Sequence, residues 1–179
     1  KNLTIDASSL PNGLTISGNN ASRVFEIATG NTVELRGLNI TGGNANATPV
    51  DSGGGINNVG GILTLIDMTL SDNHANGSGG GIRNAVGFLT ISGSTLSGNS
   101  AGSNGGGIFS GLSIINPVET VTISNSTLTG NSASDGAGIY VFSGTAGLLH
   151  TTVANNDATS GGGGIRSNGG VALENSIVA

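Results

Sequence analysis

With 179 residues the chain is long enough for one domain with a core of its own. Only 8% of its residues are charged, the formal net charge is −5, and 34 are glycine. This balance excludes a basic nucleic-acid or anionic-membrane surface. The lack of cysteine excludes a disulfide scaffold and thiolate sites, and no apolar run reaches the ~20 residues of a membrane-spanning helix.

In chain order, the first strands expected are Asn-Leu-Thr-Ile (2–5), Gly-Leu-Thr-Ile-Ser (13–17), Arg-Val-Phe-Glu-Ile (23–27) and a longer run over 32–40. Each alternates apolar and polar residues, the period of a strand with one buried face. No glycine cluster accompanies them, so residues 1–43 read as irregular coils joining a regular array over 44–179. No domain boundary interrupts residues 1–179.

From there a sentence repeats. A glycine cluster closes on Ile56, Ile82, Ile108, Ile139 and Ile165, at steps of 26, 26, 31 and 26 residues. An apolar run centred on Leu65, Ile91, Ile123, Leu148 and Leu173 follows each. Next comes Leu70, Leu96, Leu128, Val153 or Val178, and then a recurrent asparagine at Asn73, Asn99, Asn131 and Asn156 with alanine two residues on. Self-similarity at this period marks a repeat architecture. Helical spacing fits badly and the glycines penalise a helix further.

Three short strands in ~26 residues, like residue over like, describe one coil of an all-β, right-handed parallel β-helix with neighbouring coils ~4.8 Å apart. About six to seven coils fit the chain. The asparagines are expected at a left-handed turn, their amides bonded in a ladder. Two stretches exceed the period: residues near 44–51, and residues 112–119, where Ile114, Ile115 and Val118 form either a contact patch or a cover for the flank of the helix.

The residues after each glycine cluster include Arg83, Phe109, Tyr140 and Arg166, expected to face outward on consecutive coils and to offer a face for sugar rings. Paired carboxylates for glycoside chemistry are not found between adjacent coils. Asp67 and Asp72 have Gly93 and Gly98 as column mates, and Glu174 has Ser124 and Leu149. A calcium repeat needs an aspartate recurring after the glycines, and a phosphate loop needs Gly-Lys-Ser/Thr; neither is present. His74 and His150 stand in different columns. No catalytic residue, metal site or cofactor is therefore assigned. Thr64, Thr90 and Thr122 form an outward column that ends at Gly147 and Ala172, so an ice-binding face ranks only third among the readings.

Leu96, Asn99 and Ala101 followed by Gly105–Ile108 resemble the repeats of chlamydial polymorphic outer-membrane proteins. Residues 10–43, 125–133 and 175–179 look still more like large β-helix repeat proteins of environmental bacteria. The resemblance implies secretion or display on the cell surface, with adhesion for the chlamydial members. Leu or Val stands here where the chlamydial repeats carry Phe. The function expected is a non-catalytic structural or adhesive rod of a bacterial surface or extracellular filament; the alternative is a carbohydrate-active or carbohydrate-binding β-helix. The expected partners are a surface glycan or host-cell ligand, and further coils through end-to-end self-association or the rest of a longer chain. No nucleic acid is expected.

Overall fold

The computed structural model describes residues 1–11, 13–112 and 119–179. The coil beginning at Ile82 shows the plan. It runs through Ile82–Ala85, Phe88–Ser92, Thr95–Ser97 and Ser100–Ala101 before the next glycine cluster returns it to the start. Stacking such coils builds a parallel β-solenoid of about seven turns. Its four walls, numbered here in the order of those four strands, hold six, seven, seven and five strands among the described residues. Among the described residues no helix is long and apolar enough to cross a membrane.

Alternation within each strand decides what goes inside. In the second wall Val33, Leu63, Leu89, Val121 and Ala146 pair in register, as do Leu35, Leu65, Ile91, Ile123 and Leu148 two residues on. The third wall contributes Ile40, Leu70, Leu96, Leu128 and Val153. These columns, with Ile56, Ile82, Ile108 and Ile139 of the first wall, form one continuous core. One coil cannot bury its own apolar stripe; the coils above and below complete the burial.

The structure adds a fourth wall where three strands per coil were expected. After each ladder asparagine, two residues pair in register with the coils beside them, as His74 and Ala75 do with Ser100 and Ala101. The inward alanine is small enough to let this wall lie close to the glycine cluster. The left-handed corner also falls one residue earlier than expected. Asp72 and Asn155 have φ of 54° and 55°, while Gly98 and Gly130 take the equivalent places at 63° and 64°. The ladder asparagine itself keeps an ordinary φ and turns its side chain inward.

A second left-handed corner joins the second and third walls, at Asp67, Gly93, Asn125 and His150. Glycine adopts this conformation freely, and asparagine, aspartate and histidine more readily than other residues. Asp67 and Asp72 therefore owe their glycine column mates to backbone geometry rather than to a vacant partner site. The glycine clusters answer a different need. A β-carbon on Gly80 would run into the carbonyl oxygens of Ser100 and Gly106 on the next coil, so the cluster is where backbone passes closest to backbone.

Candidate functional site

The Asn73, Asn99, Asn131 and Asn156 column forms a hydrogen-bonded ladder. Asn73 Nδ2 donates to Asn99 Oδ1 at 2.9 Å, Asn99 Nδ2 to Asn131 Oδ1 at 3.0 Å, and Asn131 Nδ2 to Asn156 Oδ1 at 2.9 Å. The second proton of each amide goes back to its own or a preceding coil, as Asn99 Nδ2 donates to the Leu70 carbonyl at 2.9 Å. Asn73, Asn99 and Asn131 are fully buried. Buried amides are tolerated because their donors and acceptors are paired.

A second, shorter ladder was not anticipated from the sequence. Asn58 Nδ2 donates to Asn84 Oδ1 at 2.8 Å, and Asn84 Nδ2 reaches Ser110 Oγ at 3.4 Å. Both asparagines also bridge their own turns, donating to the carbonyls of Gly61 and Gly87. The available signal was asparagine recurring two residues after Ile56 and Ile82, the next inward position of the same strand.

The proposed sugar-binding column is in register but does not lie open as expected. Arg83 pairs with Phe109, Phe109 with Tyr140, and Tyr140 with Arg166 on successive coils of the first wall. Phe109 and Tyr140 point away from the core, yet they are only 9% and 7% exposed. Their rings stack at 5.7 Å, and Phe142 lies 6.4 Å from Phe109. Each ring thus covers the other's face, and Asn168 caps the Tyr140 hydroxyl at 3.1 Å. Arg83 donates to Asn57 at 3.1 Å, and burial, with the Arg23 charge adding to it, lowers its pKa from the ordinary arginine value. Arg166 meets Asp135 at 3.5 Å. The two rings are committed to each other and the two arginines to Asn57 and Asp135, and little aromatic surface is left for a sugar.

The first of the two long stretches produces the most ligand-like feature of the surface. Asn44 and Ala45 join the fourth wall, and residues 46–51 fold back so that Asp51 reaches Arg23, whose Nη2 lies 2.7 Å from it, while Nη1 lies 2.7 Å from Glu26. Nε and Nη2 also donate to the carbonyls of Gly53 and Ser52 at 2.9 and 2.7 Å. One largely buried guanidinium thus holds two carboxylates at the edge of a cleft of about 390 Å³, which Asn44 also lines. Asn44 spends its amide nitrogen on the Asn20 carbonyl at 2.9 Å. Its Oδ1 is buried without a partner among the described residues.

The second long stretch closes on Glu119, a buried side chain that accepts from the Leu112 N–H at 3.1 Å and from the Ser143 hydroxyl at 3.3 Å. Ile114, Ile115 and Val118 lie outside the described residues. His74 Nδ1 is 2.9 Å from Ser100 Oγ, and His150 occupies a left-handed corner. Among the described residues no group of three or more histidines and carboxylates is placed to hold a metal ion.

Compared with known proteins, the chain matches no family model, no curated protein and no solved structure.

Proposed function

We propose that this chain is a structural or adhesive rod of a bacterial surface or extracellular filament, acting by holding a fixed length and presenting its walls rather than by catalysis. The observation that supports this reading is the continuity of the buried ladder from Asn73 to Asn156 across four coils, in step with the columns of the walls. Hydrogen bonds of the walls and of the ladder run along the rod axis. Each added coil therefore extends the rod by ~4.8 Å without changing its cross-section. Secretion and surface display belong to the same proposal and draw on the resemblance of the repeats.

A second reading, a carbohydrate-binding or carbohydrate-active β-helix, is favoured by the cleft in which Arg23 holds Glu26 and Asp51. Two carboxylates in one cleft are the minimum equipment for glycoside chemistry, and Asn44 Oδ1 is a spare acceptor for a sugar hydroxyl. Both carboxylates are ion-paired to the single Arg23 guanidinium, which favours a structural role. Incubation with a panel of neutral and acidic polysaccharides, with and without Ca²⁺, separates the two. The rod releases no product; turnover abolished by Glu26→Gln or Asp51→Asn would replace it with the enzyme.

A further inference from the structure

We propose that the outer face of the third wall is an ice-binding surface. The strands of this wall read Thr-Leu-Ser, Thr-Leu-Ser, Thr-Leu-Thr and Thr-Val-Ala at Thr69–Ser71, Thr95–Ser97, Thr127–Thr129 and Thr152–Ala154. The central Leu or Val is buried in the core, so the residues on either side of it point outward. Parallel pairing sets Thr69, Thr95, Thr127 and Thr152 in one column. Thr41, Ser71, Ser97 and Thr129 form a second column beside it. Thr15 and Ser17 continue the two columns on the earliest coil, with Asn39 between Thr15 and Thr69.

Two properties separate this face from an ordinary polar wall. The first is uniformity. From Thr15 to Thr152 no charged or aromatic residue interrupts the two columns, which end at the exposed Ile177 and at Ala154, whereas the second wall mixes Glu34 and its threonines with Ile62 and Phe88, which are 49% and 50% exposed, in the middle of the array. The Thr64, Thr90 and Thr122 column singled out in the sequence lies on that mixed wall.

The second property is that the hydroxyls are unspent. Among the described residues those of Thr69, Ser71, Thr95, Ser97, Thr127 and Thr129 bond no protein group. The corner hydroxyls of Ser94 and Ser126, only a few residues away, are turned onto the Ser92 and Ser124 carbonyls at 2.7 Å. These six hydroxyls are left to water, while on the earliest coil Thr15 accepts from Asn39 Nδ2 at 3.5 Å and Ser17 from the Asn19 N–H at 3.0 Å.

The sheet imposes a lattice on that water. Hydroxyls repeat about every 4.8 Å across the strands and about every 6.7 Å between the two columns, twice the rise of one residue. Crystalline water presents oxygen rows of similar repeat in two directions on its prism faces. Threonine suits the task because its branched β-carbon stiffens χ1, so little side-chain freedom is lost on adsorption. A crystalline polysaccharide is the less favoured occupant, since the array holds no ring to stack on a sugar. This inference goes beyond the rod reading and does not depend on where the rod is displayed.

The test is thermal hysteresis and ice-crystal shaping by the 179-residue chain, measured with Thr95→Tyr and Thr127→Tyr at the centre of the array and Thr90→Tyr on the second wall as the control. Circular dichroism verifies that each variant keeps its fold. The expected result is faceted crystals and a hysteresis gap for the parent chain and Thr90→Tyr, with the gap falling to the buffer baseline in the two face variants. A parent chain that neither shapes ice nor opens a gap overturns the proposal. So does equal loss in Thr90→Tyr. Cosedimentation with crystalline chitin or cellulose that is lost in Thr95→Tyr, without any effect on ice, would assign the face to a polysaccharide instead.

Discussion

Asn131 Oδ1 accepts two hydrogen bonds from one residue of the neighbouring coil, 3.1 Å from the Asn99 backbone N–H and 3.0 Å from the Asn99 side-chain amide. One oxygen therefore satisfies both the corner backbone and the ladder, and the side chain that supplies it is wholly buried. Replacing Asn99 by leucine removes the same double acceptor from Asn73 and leaves its buried N–H groups without a partner. The expected cost is about 2–4 kcal/mol, because each unpaired buried group costs ~1–3 kcal/mol. Denaturant unfolding measures it, and an unchanged midpoint would show that the ladder contributes nothing to stability.

Two glycines should respond to alanine in opposite directions. Gly80 faces the Ser100 and Gly106 carbonyls, so Gly80→Ala must push two coils apart. Gly147 has no atom within 4 Å of where a β-carbon would stand, and it interrupts the Thr64–Thr90–Thr122 column. Gly147→Ala, and better Gly147→Thr, should stabilise the chain by about 0.5–1 kcal/mol through lost backbone freedom in the unfolded state and better strand propensity. Thermal melts of the pair provide the check. Equal and small shifts would mean that the close approach at Gly80 relaxes without cost.

The stacked pair Phe109 and Tyr140 should act on stability first. Tyr140→Ala removes a ring that is 7% exposed and stacked on another, at an expected cost of about 3 kcal/mol. Tyr140→Phe loses only the Asn168 bond, about 1 kcal/mol. Any loss of glycan binding should then follow the fraction unfolded. Binding lost in Tyr140→Phe at a temperature where the fold is intact would restore the column as a ligand site.

Glu119 should tolerate glutamine and reject alanine. The amide oxygen can still accept from the Leu112 N–H, and the amide nitrogen can donate to Ser143 Oγ. Glu119→Ala leaves the partly buried Leu112 N–H and the buried Ser143 hydroxyl without this acceptor and should cost about 1–3 kcal/mol, with faster proteolysis of the chain near residue 112. Equal destabilisation by the two substitutions would show that the carboxyl group itself is required.

The solenoid, its period and the identity of its stacked columns were legible in the sequence for one physical reason. In a parallel coil, a residue's neighbours above and below are its counterparts one period away. Ile82 predicts Ile108, and Asn99 predicts Asn131, without knowledge of anything else. Even Leu35 and Ile40 of the irregular opening stand in the columns of Ile91 and Leu96.

What the tertiary structure alone decided lies across the period or between columns. The left-handed corner sits at Asp72 rather than Asn73 because the ladder needs the asparagine turned inward. Phe109 and Tyr140 are buried because each ring lies over the other and Phe142 flanks them, a property of coil spacing and not of either residue. Arg23 finds Asp51 only because the extra residues 46–51, beyond the fourth-wall strand Asn44–Ala45, fold back towards the first wall. The threonines of Thr-Leu-Ser and Leu-Thr-Ile look alike in the sequence. Which of them share an uninterrupted face depends on the side chains standing in the neighbouring column, and those become neighbours only when the coil closes.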